Sequence, residues 1–421
     1  MAENLLNVPK CNMKTFYDDL EARIALLTGV IDMNDVGLTL EQVRKPMLVI
    51  GQPGVGKTAG IMGIIKKFNE TKLKDGKKLG FKKILLGQTV VGSMSGIPVV
   101  MGDGSVKRVQ VPDLPDPEKD PEYGVLFLDE ITTADEAQVQ PALGLCDDSR
   151  NIGEYTLPEH WLVVAAGNGP DCTNFLRLDD MTISRFAVYD ILYSFQRDWR
   201  GYANQTGINN DIIAFLNFQP DACIRVESND NDISGRLFPC PRTWERLSTE
   251  LKMRQAVGRP VPQAQMGEFA GRIVGARAGR EFQAFTAYSE KVVYDPDKIL
   301  SGEEEPPKPD MEKQVFFIML QRCLKRMKTI LEQYDDGTTD FDEDVYVSCA
   351  NMIRWFLHFE NIDLDSTFQA IISIRNDDKR LSEVLLSDKI SKYCPELDDF
   401  IDNHFDTFYE IISSGGADLG F

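Results

Sequence analysis

Residues 51–58, GQPGVGKT, set three glycines ahead of a lysine and a threonine in the pattern G-x-x-x-x-G-K-[ST]. Glycines let the backbone curl so that successive N–H groups point at phosphate oxygens. Lys57 adds a positive charge at the β- and γ-phosphates, and Thr58 offers a hydroxyl to Mg²⁺. Gly51, Gln52, Pro53, Gly54, Val55, Gly56, Lys57, Thr58 and Ala59 are therefore read as the phosphate loop of a nucleoside triphosphate site. The helix expected from residue 57 turns its N-terminus toward the same anion.

Two further stretches bring polar residues to strand ends. VLFLDE (125–130) delivers Asp129 and Glu130 after an apolar run. At that place Asp129 holds Mg²⁺ through water beside the loop, so Thr58 and Asp129 form the expected metal site. Glu130 is placed to orient and activate an attacking water, which points to hydrolysis rather than transfer to a bound hydroxyl. WLVVAAGN (161–168) ends on Asn168, on a strand expected between those of the loop and of the acidic pair. A neutral amide there bonds both the γ-phosphate and the lytic water; the plainer reading is an asparagine suited to a tight G-N-G turn. No N-K-x-D-like guanine motif stands at the expected place, so ATP is the expected nucleotide.

The elements that must position these groups follow from periodicity. Apolar strands are expected at 46–50, 82–87, 124–130, 161–168 and 186–191, with helices at 57–69 and within 134–148. Strands alternating with helices define an α/β fold, a five-stranded parallel sheet covered on both faces. Residues 15–29 read as an amphipathic helix with Phe16, Leu20, Ile24 and Leu27 on one face. Two hairpins interrupt the pattern: VVMGDGSVKRVQV with a Gly-Asp-Gly turn, and the ribbon 152–159, expected to project. Helices are expected at 207–218, 241–256, 265–285, 311–333, 343–358, 379–391 and 396–413, with SGEEEPPKPD (301–310) a linker by composition.

Composition sets limits. The chain has 421 residues, 43% hydrophobic and 27% charged, as in ordinary globular proteins. Its net charge is −20, and 26 acidic against 12 basic residues lie from 301 onward. Such a chain repels phosphate backbones at long range, which argues against nonspecific nucleic-acid binding. The eight cysteines show no C-x-x-C pair and read as reduced, small apolar residues. Neither a secretory signal nor a membrane span is apparent, so a cytoplasmic location is expected.

Together GQPGVGKT, GVLFLDEITTADEAQVQPAL, GEYTLPEHWLVVAAGNG, ISRF and FPCPRTWERLS resemble the MoxR-type AAA+ ATPases, in the branch with dynein-related and McrB-like modules. The resemblance covers about residues 40–300 and includes SGIPV (95–99). It implies a pre-sensor-1 hairpin at 152–159, sensor 1 at Asn168 and a helix-2 insert at 89–111. It also implies an arginine finger at Arg185, which stabilises a neighbour's transition state, and sensor 2 at Arg242, acting in cis or in trans. The implied domains are an N-terminal helical segment (1–40), a nucleotide-binding subdomain (41–200), a helical lid (201–300), the linker (301–310) and an acidic helical domain (311–421).

The implied activity is ATP hydrolysis with Mg²⁺ in a homo-oligomeric ring, a hexamer by family, that remodels or matures a protein client. A partner or adaptor with a von Willebrand A-type domain is implied by the same analogy. The rivals are a nucleic-acid-associated or defence motor of McrB-like type and a nucleotide-gated scaffold. NGPDCTNFLRL departs from the family pattern in lacking basic residues just after sensor 1. Arg150, ahead of the ribbon, is expected to face a neighbouring subunit or solvent.

Overall fold

A computed structural model describes residues 8–73, 76–89, 94, 96–109, 113–169, 178–225, 237–289, 292–334, 338 and 340–406. The chain divides into two compact units, Met1–Tyr193 with Ser228–Ser234, and Ser194–Glu227 with Gly235–Phe421.

The first unit runs β1 (Lys10–Cys11), α1 (Met13–Leu27), α2 (Leu40–Val43), β2 (Met47–Ile50), α3 (Lys57–Lys67), β3 (Leu79–Leu85), β4 (Ile97–Val100), β5 (Val106–Val109), β6 (Tyr123–Asp129), α4 (Glu136–Leu143), β7 (Asn151–Ile152), β8 (Tyr155–Thr156), β9 (Trp161–Gly167), α5 (Asp180–Ile183) and β10 (Ala187–Ile191). Its main sheet has the order β1-β10-β2-β9-β6-β3, with every pairing parallel. The five expected strands are all present. A sixth, the two-residue β1, extends the edge through Lys10 and Cys11, too short a run to leave a period in the sequence.

The central strands are apolar because both of their faces are covered. Leu48, Leu126, Leu128, Val163 and Ala165 share one core with Val139, Ala142 and Leu143 of α4. The alternate residues Val49, Val125, Phe127 and Val164 are equally buried on the opposite face. Edge strand β3 tolerates Lys82 and Lys83, which a central strand would not. Trp161 at the start of β9 lies across β6, where a Cβ on Gly124 would stand 2.5 Å from its ring. Phe16, Leu20, Ile24 and Leu27 of α1 are buried as their spacing predicts, and Asn12 caps the helix by accepting from the Thr15 N–H at 2.7 Å.

The second unit is helical: α6 (Arg200–Gln205), α7 (Asn210–Phe218), α8 (Pro241–Ala256), α9 (Met266–Val274), α10 (Ala276–Thr286), α11 (Pro296–Ser301), α12 (Lys313–Leu331), α13 (Glu343–Leu357), α14 (Leu364–Asp377), α15 (Lys379–Leu385), α16 (Asp388–Tyr393) and α17 (Pro395–Asn403). The helix expected at 265–285 is two helices. Gly275, at φ 93°, breaks it where a Cβ would stand 2.7 Å from the Leu237 carbonyl. The resulting pair packs backbone to backbone, since a Cβ on Gly279 would lie 2.4 Å from the Gly271 nitrogen.

The expected helix at 379–391 is likewise divided, with Ser387 capping α16. The segment expected to complete 396–413 lies outside the described residues from 407 onward. Within 301–310, Pro307 is buried and the Glu305 carbonyl accepts from Trp355 Nε1 at 2.8 Å. Of the seven described cysteines, all free, six are buried, and burial pushes the Cys146 thiol up to about 12.

Candidate nucleotide site

β2 ends in the glycine-rich loop, whose backbone needs its glycines. Gly54 and Gly56 have φ of 80° and 94°, and Gly56 is the N-cap of α3. Gly51 donates to the Gly167 carbonyl at 3.2 Å, which joins the start of the loop to the end of β9. The Lys57 ammonium lies against the loop, 2.7 Å from the Gly51 carbonyl and 3.1 Å from that of Gln52. Tyr17 of α1, which sequence reasoning missed, donates to the Gly56 carbonyl at 3.3 Å, and its hydroxyl occupies the space a Cβ on Gly60 would need.

β6 delivers its acidic pair next to this loop. Thr58 Oγ1 donates to Asp129 Oδ2 at 3.4 Å, so the two expected metal ligands are in contact. The same Asp129 oxygen is 2.8 Å from the Lys83 ammonium. Lys83 lies opposite Phe127 in the register of β3 and β6, on the face that Asp129 shares two residues on. That alternation in an edge strand is the signal by which the sequence could have revealed it.

The carboxylate of Asp129 thus already attracts positive charge, and a hydroxyl stands beside it. These groups fit Mg²⁺, which dehydrates reluctantly and is held by one or two protein oxygens together with phosphates and water. Among the described residues no cluster of three His, Cys, Asp or Glu forms a metal site, and Mg²⁺ with a nucleotide needs none.

Glu130 leaves β6 in a left-handed conformation, φ 62°, which is strained for a residue with a side chain. Its backbone N–H donates to Asp129 Oδ1 at 2.9 Å, and its carbonyl receives the N–H groups of Thr133 and Ala134. Its carboxylate passes over Gly87, where a Cβ would stand 3.2 Å from Oε2.

Asn168 follows β9, which pairs with β2 on one side and β6 on the other. Its backbone is fixed by buried Thr132, whose hydroxyl accepts the Asn168 N–H at 2.7 Å and donates to the Asn168 carbonyl at 3.1 Å. Its side-chain amide is half-buried and makes no hydrogen bond among the described residues. Residues 170–177, where the departure after sensor 1 is read, lie outside the described residues.

The two arginines stand on other elements. Arg185 precedes β10 at the sheet edge opposite the loop, since Ala187 pairs with Met47 and the loop begins after Ile50. The four residues of β2 span about 13 Å, beyond the reach of one side chain, so Arg185 does not meet the phosphate loop of its own chain. It is held by Asp147 at 2.5 Å and remains partly exposed. Arg242 stands in the first turn of α8, in the second unit, exposed and without an ion pair among the described residues.

Two expectations around the ribbon need correction. Arg150 faces neither solvent nor a neighbour: it is 5% exposed and donates through Nη2 to the carbonyls of Pro158, at 3.2 Å, and of Trp161. Burial lowers its pKa to about 10. The ribbon itself, β7 and β8 around Gly153, does not project, because Ile152 and Leu157 belong to the sheet's core and Tyr155 donates to the Pro115 carbonyl at 2.8 Å. The projecting hairpin is β4–β5 in the insert, closed by a turn in which Ser105 donates to Asp103 and Gly104 has φ 80°. It exposes Val99, Val100, Met101 and Val106, with Val100 at 72%. Residues 90–93, 95 and 110–112 of this region lie outside the described residues.

Strand order, loop and acidic pair define the class, an α/β P-loop nucleotide-binding fold followed by a helical unit. No family model and no curated protein matches the chain. Solved structures do match. A provisionally named ATPase from Cytophaga hutchinsonii is 18% identical, with a TM-score of 0.26 over 43% of this chain and 52% of its own. Hsp104 in a closed state with ATPγS and FITC casein is 13% identical, with a TM-score of 0.32 over 70% of this chain and 50% of its own. The AAA domain of FIGL-1 with ADP is 15% identical, with a TM-score of 0.29 over 69% and 89%. The chain thus spans about half the length of the first two.

Proposed function

We propose that this chain is an ATP-hydrolysing, ring-forming AAA+ protein of the MoxR type that remodels or matures a protein partner. One observation carries the reading: Thr58 of the phosphate loop touches Asp129, while Glu130 and Asn168 leave two adjacent parallel strands on the same sheet edge. The loop N–H groups and Lys57 hold the β- and γ-phosphates. Thr58 and Asp129 hold Mg²⁺, which neutralises phosphate charge when bound. Glu130 orients the attacking water and takes its proton, and the Asn168 amide bonds that water and the γ-phosphate.

Arg185 serves the site of a neighbouring copy, a role supported by its place on the far edge of its own sheet. A ring, with six copies by family, follows from that division of labour. The exposed valines of the β4–β5 hairpin suit an apolar protein surface better than a nucleic acid, which wants positive charge. In this reading 41–200 is the motor, 201–300 the lid carrying Arg242, and the acidic helices beyond 310 an adaptor surface, with a von Willebrand A-type protein as the proposed partner. Among the described residues no helix is long and apolar enough to cross a membrane.

ATP turnover with Mg²⁺ tests the reading. Glu130→Gln should retain ATP and lose hydrolysis at least about a hundredfold. Normal turnover in that variant, or severalfold salt-sensitive stimulation of the native chain by DNA, would overturn it.

A further inference from the structure

Tyr17 of α1 lies across the first turn of α3. Its hydroxyl donates to the Gly56 carbonyl at 3.3 Å, and a Cβ built on Gly60 would stand 1.9 Å from that hydroxyl oxygen and 2.1 Å from Cζ. No side chain fits at position 60 while the ring is there. Glycine inside a helix is a poorer helix former than alanine, so Gly60 weakens α3 and in return leaves a seat for Tyr17.

The helix that carries Tyr17 is tied on both sides of it. Phe16, fully buried, meets the Tyr189 ring of β10 edge-on at 5.4 Å, and the Tyr189 hydroxyl donates to Asp19 Oδ2 at 2.8 Å. Tyr189 stands opposite Val49 of β2, the strand that runs into the phosphate loop. Glu21 pairs with Lys67 at the end of α3, at 3.0 Å. Helix α1 is therefore held against the sheet and α3 together, and Tyr17 sits between those ties.

Gly56 needs such a hold. Its φ of 94° is open to glycine, and a Cβ placed on it would meet nothing within 4 Å. With no side chain to anchor it, Gly56 is held through its carbonyl, which accepts from the Gly60 N–H at 2.8 Å and from Tyr17. That carbonyl and the Lys57 N–H belong to one planar trans peptide and point opposite ways. A carbonyl held toward α3 and Tyr17 turns the Lys57 N–H out of the helix N-terminus, where the proposed site binds phosphate. An N–H that donates to phosphate polarises its peptide and strengthens the carbonyl as an acceptor, so the two bonds support each other.

We infer that Tyr17 is a positioning residue of the nucleotide site. It holds the Gly56–Lys57 peptide with its N–H toward the phosphates, and Gly60 is the seat that lets it do so. The inference rests on the reading of residues 51–58 as a phosphate loop.

Titration calorimetry of the full chain with ADP and Mg²⁺ tests it. Tyr17→Phe keeps the ring and removes the donor, and should weaken binding about threefold to tenfold, the range of one neutral hydrogen bond. KM for ATP should rise by a similar factor, and kcat should change less. Gly60→Ala expels the ring and should weaken binding at least as much, yet in a Tyr17→Ala background the same substitution should cause no further loss. Native ADP affinity in Tyr17→Phe, a fall in kcat at unchanged KM, or a full effect of Gly60→Ala in the Tyr17→Ala background overturns the inference. A native chain that binds no ADP, or whose binding survives Lys57→Ala, overturns the reading of the loop and the inference with it.

Discussion

The hydroxyl of Thr132 holds both backbone groups of Asn168, accepting its N–H at 2.7 Å and donating to its carbonyl at 3.1 Å. Thr132 lies two residues beyond Glu130, so one side chain ties the exit of the acidic strand to the end of the sensor strand. The fit is close: a Cβ on Gly167 would stand 2.5 Å from Thr132 Cγ2 and 3.0 Å from Ile50 Cδ1. A shift of the backbone at either residue is therefore felt by the other.

Thr132→Val keeps the shape and removes the hydroxyl, leaving the Asn168 N–H and carbonyl unpaired in a buried place. Urea denaturation should show a loss of about 1–3 kcal/mol. ATP turnover should fall more than ATP affinity, and Thr132→Ser should recover most of both. Equal loss in the serine variant would mean that the methyl, not the hydroxyl, matters.

Lys83 is paired with the Asp129 oxygen that the proposed site offers to Mg²⁺, so the two cations would compete for it. Lys83→Met should lower the Mg²⁺ concentration that half-saturates binding of a fluorescent ATP analogue, by up to about fivefold, the worth of a partly exposed ion pair. An increase would show that Lys83 positions the carboxylate rather than competing for it.

Arg150 is a structural clamp on the carbonyls of Pro158 and Trp161. Arg150→Met should destabilise the chain by about 1–3 kcal/mol through those orphaned acceptors. Ring assembly at low temperature, followed by light scattering, should be unchanged. Selective loss of assembly with native stability would return Arg150 to a subunit interface.

Asp377 gives stability a pH dependence of definite sign. Burial raises its pKa from 3.8 to about 6 although Lys328 and Arg200 are near. Between those values the folded chain holds a proton that the unfolded chain has lost. The stability this group contributes is therefore full below about pH 4 and falls as pH rises toward 6, by up to about 3 kcal/mol. Urea denaturation across pH 4–7 should show that slope in the native chain and a flatter one in Asp377→Asn. Identical slopes would exclude Asp377 as its source.

Much of the first unit was legible in the sequence because its signals are local. Buried parallel strands are continuous apolar runs, and GQPGVGKT carries its own turn chemistry. The contact of Thr58 with Asp129 follows once those two strands share a sheet edge. Tyr17 and Thr132 were not legible, since each acts through a helix placement or a side-chain contact that no spacing encodes, whereas the alternation of β3 carried a signal for Lys83. Arg150 misled for a related reason: an arginine ahead of a turn reads as surface, whereas its guanidinium turns inward to the carbonyls of Pro158 and Trp161. Helix α14 was missed because its Ile-Ile-Ser-Ile run is β-branched and its first turn is rich in Asp, Ser and Thr. The break at Gly275 was hidden because glycines on both sides serve close helix packing instead.

The central claim is a nucleotide site completed by a second copy, and a mixing experiment tests it most directly. Lys57→Ala and Arg185→Ala chains should each lack ATP turnover alone, one for want of phosphate binding and the other for want of a neighbour's guanidinium. Mixed in equal amounts and allowed to reassemble, they should regain activity, because an intact loop then faces an intact Arg185. Full turnover by Arg185→Ala alone, or no recovery in mixed assemblies of native size, would contradict the account.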